Sequence, residues 1–300
     1  RRTTIEGPSR IATQDAGPDT PNFFTYTIPT YNAANEVPQV SYPNGTGQGG
    51  NNTTVTLGYD SFHRLTTTTA KAGTTLITSD QVSISQSGRV TDETIDGVDS
   101  HTGNNFTYDA VGRLIDAWVP GHHYTYGFGT PACYQTASGK DVNRTNVTDN
   151  GTTTANYCYN SADRLISTTD SRYGTVTYDA HGNMTALGSD TMTYDIADRH
   201  MSTTSGGTTV THIRDANDRI VSRPAAGTTT HYGYGSDDDS AEVVLDGTNV
   251  VVDQEISLLG GVMVDIRGGT KTYLYSNIHG DVAATANASG VKQGATVTYD

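Results

Sequence analysis

The chain has 300 residues and a net charge of −14, with only 34% apolar and 17% charged side chains. Leu, Ile, Val and Phe together make up about 17%, below the level of about 20% that marks disorder, but the strong net charge that should accompany disorder is lacking. The acidic balance, with lysine only at Lys71, Lys140, Lys271 and Lys292, argues against nucleic-acid binding, and no run of about 18 apolar residues offers a membrane span.

Tyrosine and threonine fill the hydrophobic deficit: 18 Tyr and roughly fifty Thr, both strand formers, the first with a large ring and a polar end. Long helices are disfavoured, because Gly, Thr and Asn crowd out Ala, Leu, Glu and Lys.

Residues 1–50 read as an irregular Pro- and Gly-rich lead-in. Pro8, Pro18, Pro21, Pro29, Pro38 and Pro43 interrupt any regular pattern, and Phe23–Ile28 is the one clear strand candidate. No apolar leader core follows Arg1-Arg2, and the sequence reads as a fragment of a longer protein.

From residue 51 onward a repeat runs along the chain. Its units start at Tyr59, Ile84, Tyr108, Tyr159, Tyr178, Tyr194 and Arg214. Strand formers alternate with Thr before each start, then come Asp or a relative, two variable residues and a special fifth position. That position holds His63, Gly88, Gly112, Asp163, Gly182, Asp198 and Asp218, all residue types that tolerate positive φ.

The pattern predicts three-residue hairpin loops, each a type I turn closed by a left-handed residue that forms a bulge. Asp60, Asp109, Asp179, Asp195 and Asp215 head turns. Arg64, Arg113, Arg199 and Arg219 close theirs as cross-strand charge pairs worth about 0.2–1 kcal/mol each. One step outward, Tyr59 faces Leu65, Tyr108 faces Leu114, Tyr159 faces Leu165 and Tyr178 faces Met184, with Tyr194 in the same register. These side chains are expected to form an inward ladder when hairpins stack, since one hairpin alone is unstable.

The step from 108 to 159 is double length and has room for a degenerate copy near Cys133. Cys133 and Cys158, the two cysteines, are flanked by aromatics and lie one repeat apart. A disulfide is expected, worth about 3 kcal/mol on a chain-entropy account, and it places the chain in an oxidising compartment. Their spacing fits no metal site, so no metal and no cofactor is expected. His122-His123 reads as a surface strand pair and Asp237–Asp239 as a solvated loop.

Residues 243–268 are the most apolar stretch and suggest three or four strands buried on both faces. A closing segment follows, over about 236–300, with Tyr273-Leu274-Tyr275-Ser276-Asn277-Ile278-His279-Gly280-Asp281 and a final Tyr299-Asp300. No nucleophile elbow, phosphate loop, metalloprotease or dinucleotide motif occurs, and no catalytic residue is assigned.

These repeats resemble the YD repeats of RHS (rearrangement hotspot) proteins, which also occur in the C component of insecticidal toxin complexes and in the teneurin shell. The resemblance covers about residues 55–300. It implies an all-β fold of tandem hairpins forming a spiral, shell-like sheet. It further implies a secreted or surface-displayed bacterial protein whose shell encloses or presents a C-terminal effector domain, so the partners would be the rest of its own longer chain and that domain. The family's autoprotease junction would fall beyond residue 300, so the chain itself is not expected to be an enzyme. The alternative is an adhesion or glycan-binding module displaying rows of Tyr and Thr.

Overall fold

A computed structural model describes residues 3–5, 11–16, 24–28, 30–129, 142–235 and 239–299. Every regular element in it is a β-strand, and every strand pair is antiparallel. The all-β fold of tandem hairpins is therefore the one expected.

The chain divides into two compact units. The first joins residues 1–105 with 252–299, and the second spans 106–251. This division differs from the expected boundary at residue 50. The reason is long-range packing, which brings the last fifty residues onto the first hundred.

In the first unit, nine strands from Thr3–Ile5 to Val98–Asp99 pair as neighbours in chain order. A second run, Val251–Leu258, Val262–Arg267, Thr270–Ser276, Val282–Asn287 and Lys292–Gln293, does the same. The core lies between them. Phe24, Val40, Tyr42 and Val55 come from one side, and Val262, Val264, Tyr273 and Tyr275 from the other. Phe24 meets Tyr273 edge to face, with centroids 6.2 Å apart.

The lead-in thus contributes more than irregular chain. Strands Phe24–Thr27 and Gln39–Tyr42 alternate buried and half-buried side chains, and their inward residues are core. The apolar stretch 243–268 does form strands, but it is buried on one face only: Val262–Arg267 alternates, and Val250, Val251 and Val252 are exposed. Only one side of this sheet has a partner layer, so a continuous apolar run does not become two buried faces.

In the second unit, hairpins follow one another from Phe106–Tyr108 to Leu165–Thr168, and again from Val176–Tyr178 to Val243–Leu245. Six apolar side chains are buried here, against nineteen in the first unit, among the described residues. Packing of apolar area alone therefore does little to hold these hairpins together. The contacts between loops and strands gain importance accordingly.

Candidate functional site

The recurring element is the loop. At Asp60–Arg64 the Asp60 amide donates to the Arg64 carbonyl (3.0 Å), and the His63 amide donates to the Asp60 carbonyl (3.1 Å). The same two bonds recur at 85–89, 109–113, 160–164, 179–183, 195–199 and 215–219. All seven fifth positions have positive φ, from 58° at Asp163 to 100° at Gly182. Each loop is followed by a register shift, which sets Tyr59 opposite Leu65, Tyr108 opposite Leu114, Tyr159 opposite Leu165, Tyr178 opposite Met184 and Tyr194 opposite His200.

Four more loops share the geometry: 32–36, 246–250, 277–281 and 287–291, with Asn35, Asn249, Gly280 and Gly290 at positive φ. Tyr31 precedes the first of these, whereas Leu245, Ser276 and Ala286 precede the other three in place of Tyr, so a search keyed on tyrosine passes over those three. An Asp or Asn followed three residues later by Gly or Asn is the signal that finds them.

The head carboxylate organises each loop. Asp109 Oδ1 accepts the amides of Val111 (3.0 Å) and Arg113 (2.9 Å), while Oδ2 accepts Arg113 Nε (2.7 Å). Asp60, Asp195 and Asp215 repeat this pattern with Arg64, Arg199 and Arg219, and Asp179 does so with Asn183. The Arg113 amide, and then its guanidinium, hold the Asp109 carboxyl below the usual carboxylate range. At Asp195 the Arg199 guanidinium leads and its amide follows.

The repeat tyrosines form joints between hairpins. Tyr178 hydroxyl donates to the carbonyl of Leu165 (2.9 Å), Tyr194 to Met184 (2.9 Å), Tyr234 to Ile220 (2.7 Å) and Tyr299 to Val282 (2.8 Å). Each acceptor is the first residue after the preceding loop. At two joints the arginine just before the acceptor lies over the incoming ring: Arg164 over Tyr178 (5.2 Å) and Arg219 over Tyr234 (4.6 Å). In the first unit Tyr59 hydroxyl donates to Val37 (3.1 Å), and Arg64 reaches forward to the carbonyls of Ser85 and Ile84.

Loop tips are linked as well. His181 Nδ1 and Asn183 Nδ2 each lie 2.8 Å from Asp198 Oδ1, and Arg199 approaches Asp218 at 3.7 Å. The expected inward ladder is therefore corrected in one respect. Tyr59, Tyr108, Tyr159, Tyr178 and Tyr194, with Leu65, Leu114, Leu165 and Met184, are half-buried rather than core. The hydroxyls of Tyr59, Tyr178 and Tyr194 need acceptors, and the main chain ahead of each hairpin supplies them at the sheet surface. Among the described residues the most deeply buried tyrosines are Tyr42, Tyr273 and Tyr275, all in the first unit.

Those three tie the seam of the first unit. Tyr275 hydroxyl meets Asn51 Nδ2 and Thr53 Oγ1, both at 2.8 Å, inside the core. Tyr42 hydroxyl donates to the Leu259 carbonyl and Tyr273 hydroxyl to that of Gly49.

Other sequence candidates fall as follows. Cys133 lies outside the described residues, as do the possible degenerate copy around it, Asp237, Asp238 and Asp300; Cys158 is buried in strand Thr152–Tyr159. His122 pairs with Asp149 and His123 with Asp116, each at 2.8 Å, and His123 stacks on Trp118 at 3.6 Å. Among the described residues no group of three or more His, Cys, Asp or Glu is placed to hold a metal ion, and no helix is long and apolar enough to cross a membrane. A cavity of about 570 Å³ is lined by Arg214, Arg219, Arg223, Tyr232, Asp218 and Asp239. Its guanidinium groups are engaged by Asp218, Asp215 and Tyr232, so no excess of charge converges there.

The teneurin YD-shell family model matches residues 34–239. Among solved structures, a Photorhabdus luminescens Tc holotoxin pore carrying a point substitution in TccC3 aligns over 97% of this chain and 16% of that one, at 12% identity and a TM-score of 0.56. A TcdB2-TccC3-Cdc42 structure aligns over 97% and 16%, at 13% identity and 0.59. A TcdB2-TccC3 structure aligns over 97% and 17%, at 13% identity and 0.58. At such identities the likeness is one of fold. The chain spans about one sixth of the length of these structures' chains. No curated protein matches it significantly. The family model and the fold comparisons agree on a shell-type architecture built of YD repeats.

Proposed function

Because this chain belongs to the teneurin YD-shell family, we propose that it is a section of the wall of an RHS-type shell that encloses or presents a C-terminal effector carried by a longer polypeptide. The mechanism is steric: hydrogen-bonded hairpins, each docked on the one before, isolate the contents and leave few free strand edges. The observation that carries this reading is the repeated joint, a tyrosine hydroxyl on the carbonyl that follows the preceding loop. It gives successive hairpins a fixed step, as a continuous wall requires. The loop carboxylates and arginines, the half-buried Tyr and aliphatic pairs and the fifth-position residues all act in this reading as structural parts.

Electron microscopy and limited proteolysis of the longer chain test it. A compact, protease-resistant hollow particle is expected, and an extended, readily digested thread overturns the reading. A Cys133–Cys158 disulfide is proposed as a further staple. Peptide mapping without reductant should recover the two cysteines in one linked fragment. Separate alkylated peptides would remove it from the account.

Glycan binding through the repeat tyrosines has weaker support. Stacking a sugar needs a free ring face, whereas Tyr178 and Tyr234 lie beneath arginines, and Tyr126 is buried with Arg144 over it at 4.9 Å.

A further inference from the structure

We infer that a carboxyl pair, Asp80 and Glu93, makes the seam of the first unit sensitive to pH, firm in acid and loosened above neutrality. The inference stands apart from whether the wall encloses an effector. Asp80 belongs to strand Thr75–Ile84 and is 2% exposed. Its neighbours on the same face, Thr78 and Val82, are also buried. Register pairs Asp80 with Ile95 and Val82 with Glu93, so Glu93 is the diagonal neighbour of Asp80 on that inner face, within reach of a long side chain.

The pair reaches the closing segment through Asp80. Asp80 Oδ2 accepts the Ile278 amide at 2.8 Å, inside loop 277–281. Asp80 Oδ1 is enclosed and has no hydrogen-bond partner. Two carboxylates held together away from water do not both ionise readily. A proton retained by Glu93 relieves the repulsion and provides the donor that Asp80 lacks.

Among the described residues no cation compensates them. On strand Leu65–Ala72 the residue opposite Asp80 is Thr68, buried and uncharged. On the far side Asp92 and Asp99 lie on the other face by strand alternation, Asp99 opposite Thr94. Lys292 is engaged by Asp96 (3.3 Å) and Thr296 (2.6 Å). In the closing loop His279 pairs with Asp281 at 2.8 Å in solvent. From strand Val282–Asn287 the buried side chains are alanines.

Burial, and then the charge of Asp80, push the Glu93 carboxyl up to about 7, and burial raises Asp80 as well. The folded unit therefore keeps a proton that an unfolded chain releases near pH 4.3. Stability contributed by that proton is full below about pH 4.3, falls as pH rises toward about 7, and is level above it.

Hydrogen exchange of the seam amides, Ile278 included, tests this on the whole chain after correction for intrinsic rates. Opening is expected to rise roughly tenfold between pH 6 and pH 8, and Glu93→Gln is expected to hold it flat. Opening that is flat in the parent chain, or a slope that persists unchanged in Glu93→Gln, overturns the inference. Should Glu93→Gln fail to fold, carbon-detected NMR titration of the parent chain decides. A carboxyl titrating near pH 7 supports the pair, and two ordinary midpoints near pH 4 refute it.

Discussion

A left-handed backbone costs an L-residue roughly 1–2 kcal/mol, yet four of the seven YD loops place His63, Asp163, Asp198 or Asp218 there. Each can form polar contacts that glycine lacks, as Asp198 does with His181 and Asn183. At Gly182 the site demands glycine. A Cβ at Gly182 would meet Arg164 Nη1 at 2.7 Å, and φ there is +100°. Gly182→Ala should therefore destabilise the second unit by about 1–2 kcal/mol in urea unfolding, and the cost should shrink when Arg164 is shortened to Ala. The loop carboxylates give a second prediction. Their pKa values are lowered in the fold, so their stabilisation is present above the unfolded carboxyl value near 3.9 and disappears as pH falls through the folded values. Asp195→Asn should lower stability at pH 7 and flatten part of the loss between pH 5 and pH 2, as followed by circular dichroism.

At the scale of the hairpin, the joint is the contact to test. Tyr178→Phe removes the bond to the Leu165 carbonyl and keeps the ring under Arg164. A loss of about 1 kcal/mol is expected, and Tyr178→Leu should cost more because the ring contact goes too. Loop and register were legible in the sequence because their chemistry is local: a head carboxylate, a left-handed residue and a closing arginine fall within five positions. The joint was not, because its acceptor is a main-chain carbonyl that any residue supplies, so Leu165, Met184 and Ile220 carry no mark of it. The core was also hidden. Phe24 and Tyr273 meet across some 250 positions, and nothing in either segment names the other as its partner.

At the scale of the whole molecule the two units are stabilised differently. The first has a sheet-on-sheet core and a buried polar cluster, while the second depends on its loops and joints. Tyr275→Phe should expose that difference. It leaves Asn51 and Thr53 in the core short of a partner, at a cost of about 1–3 kcal/mol. Melting followed by hydrogen exchange should show the loss in residues 24–84 and 252–287, with protection in 146–233 unchanged.

The main-chain acceptor at each joint has a consequence for how such chains change over generations. A tyrosine that docks on a backbone oxygen makes no demand on the side chain that bears it. Duplicating or deleting one hairpin as a unit therefore leaves both new neighbours able to dock, with no compensating substitution. Lineages can lengthen or shorten the array in whole hairpins while the sequence between the loops drifts.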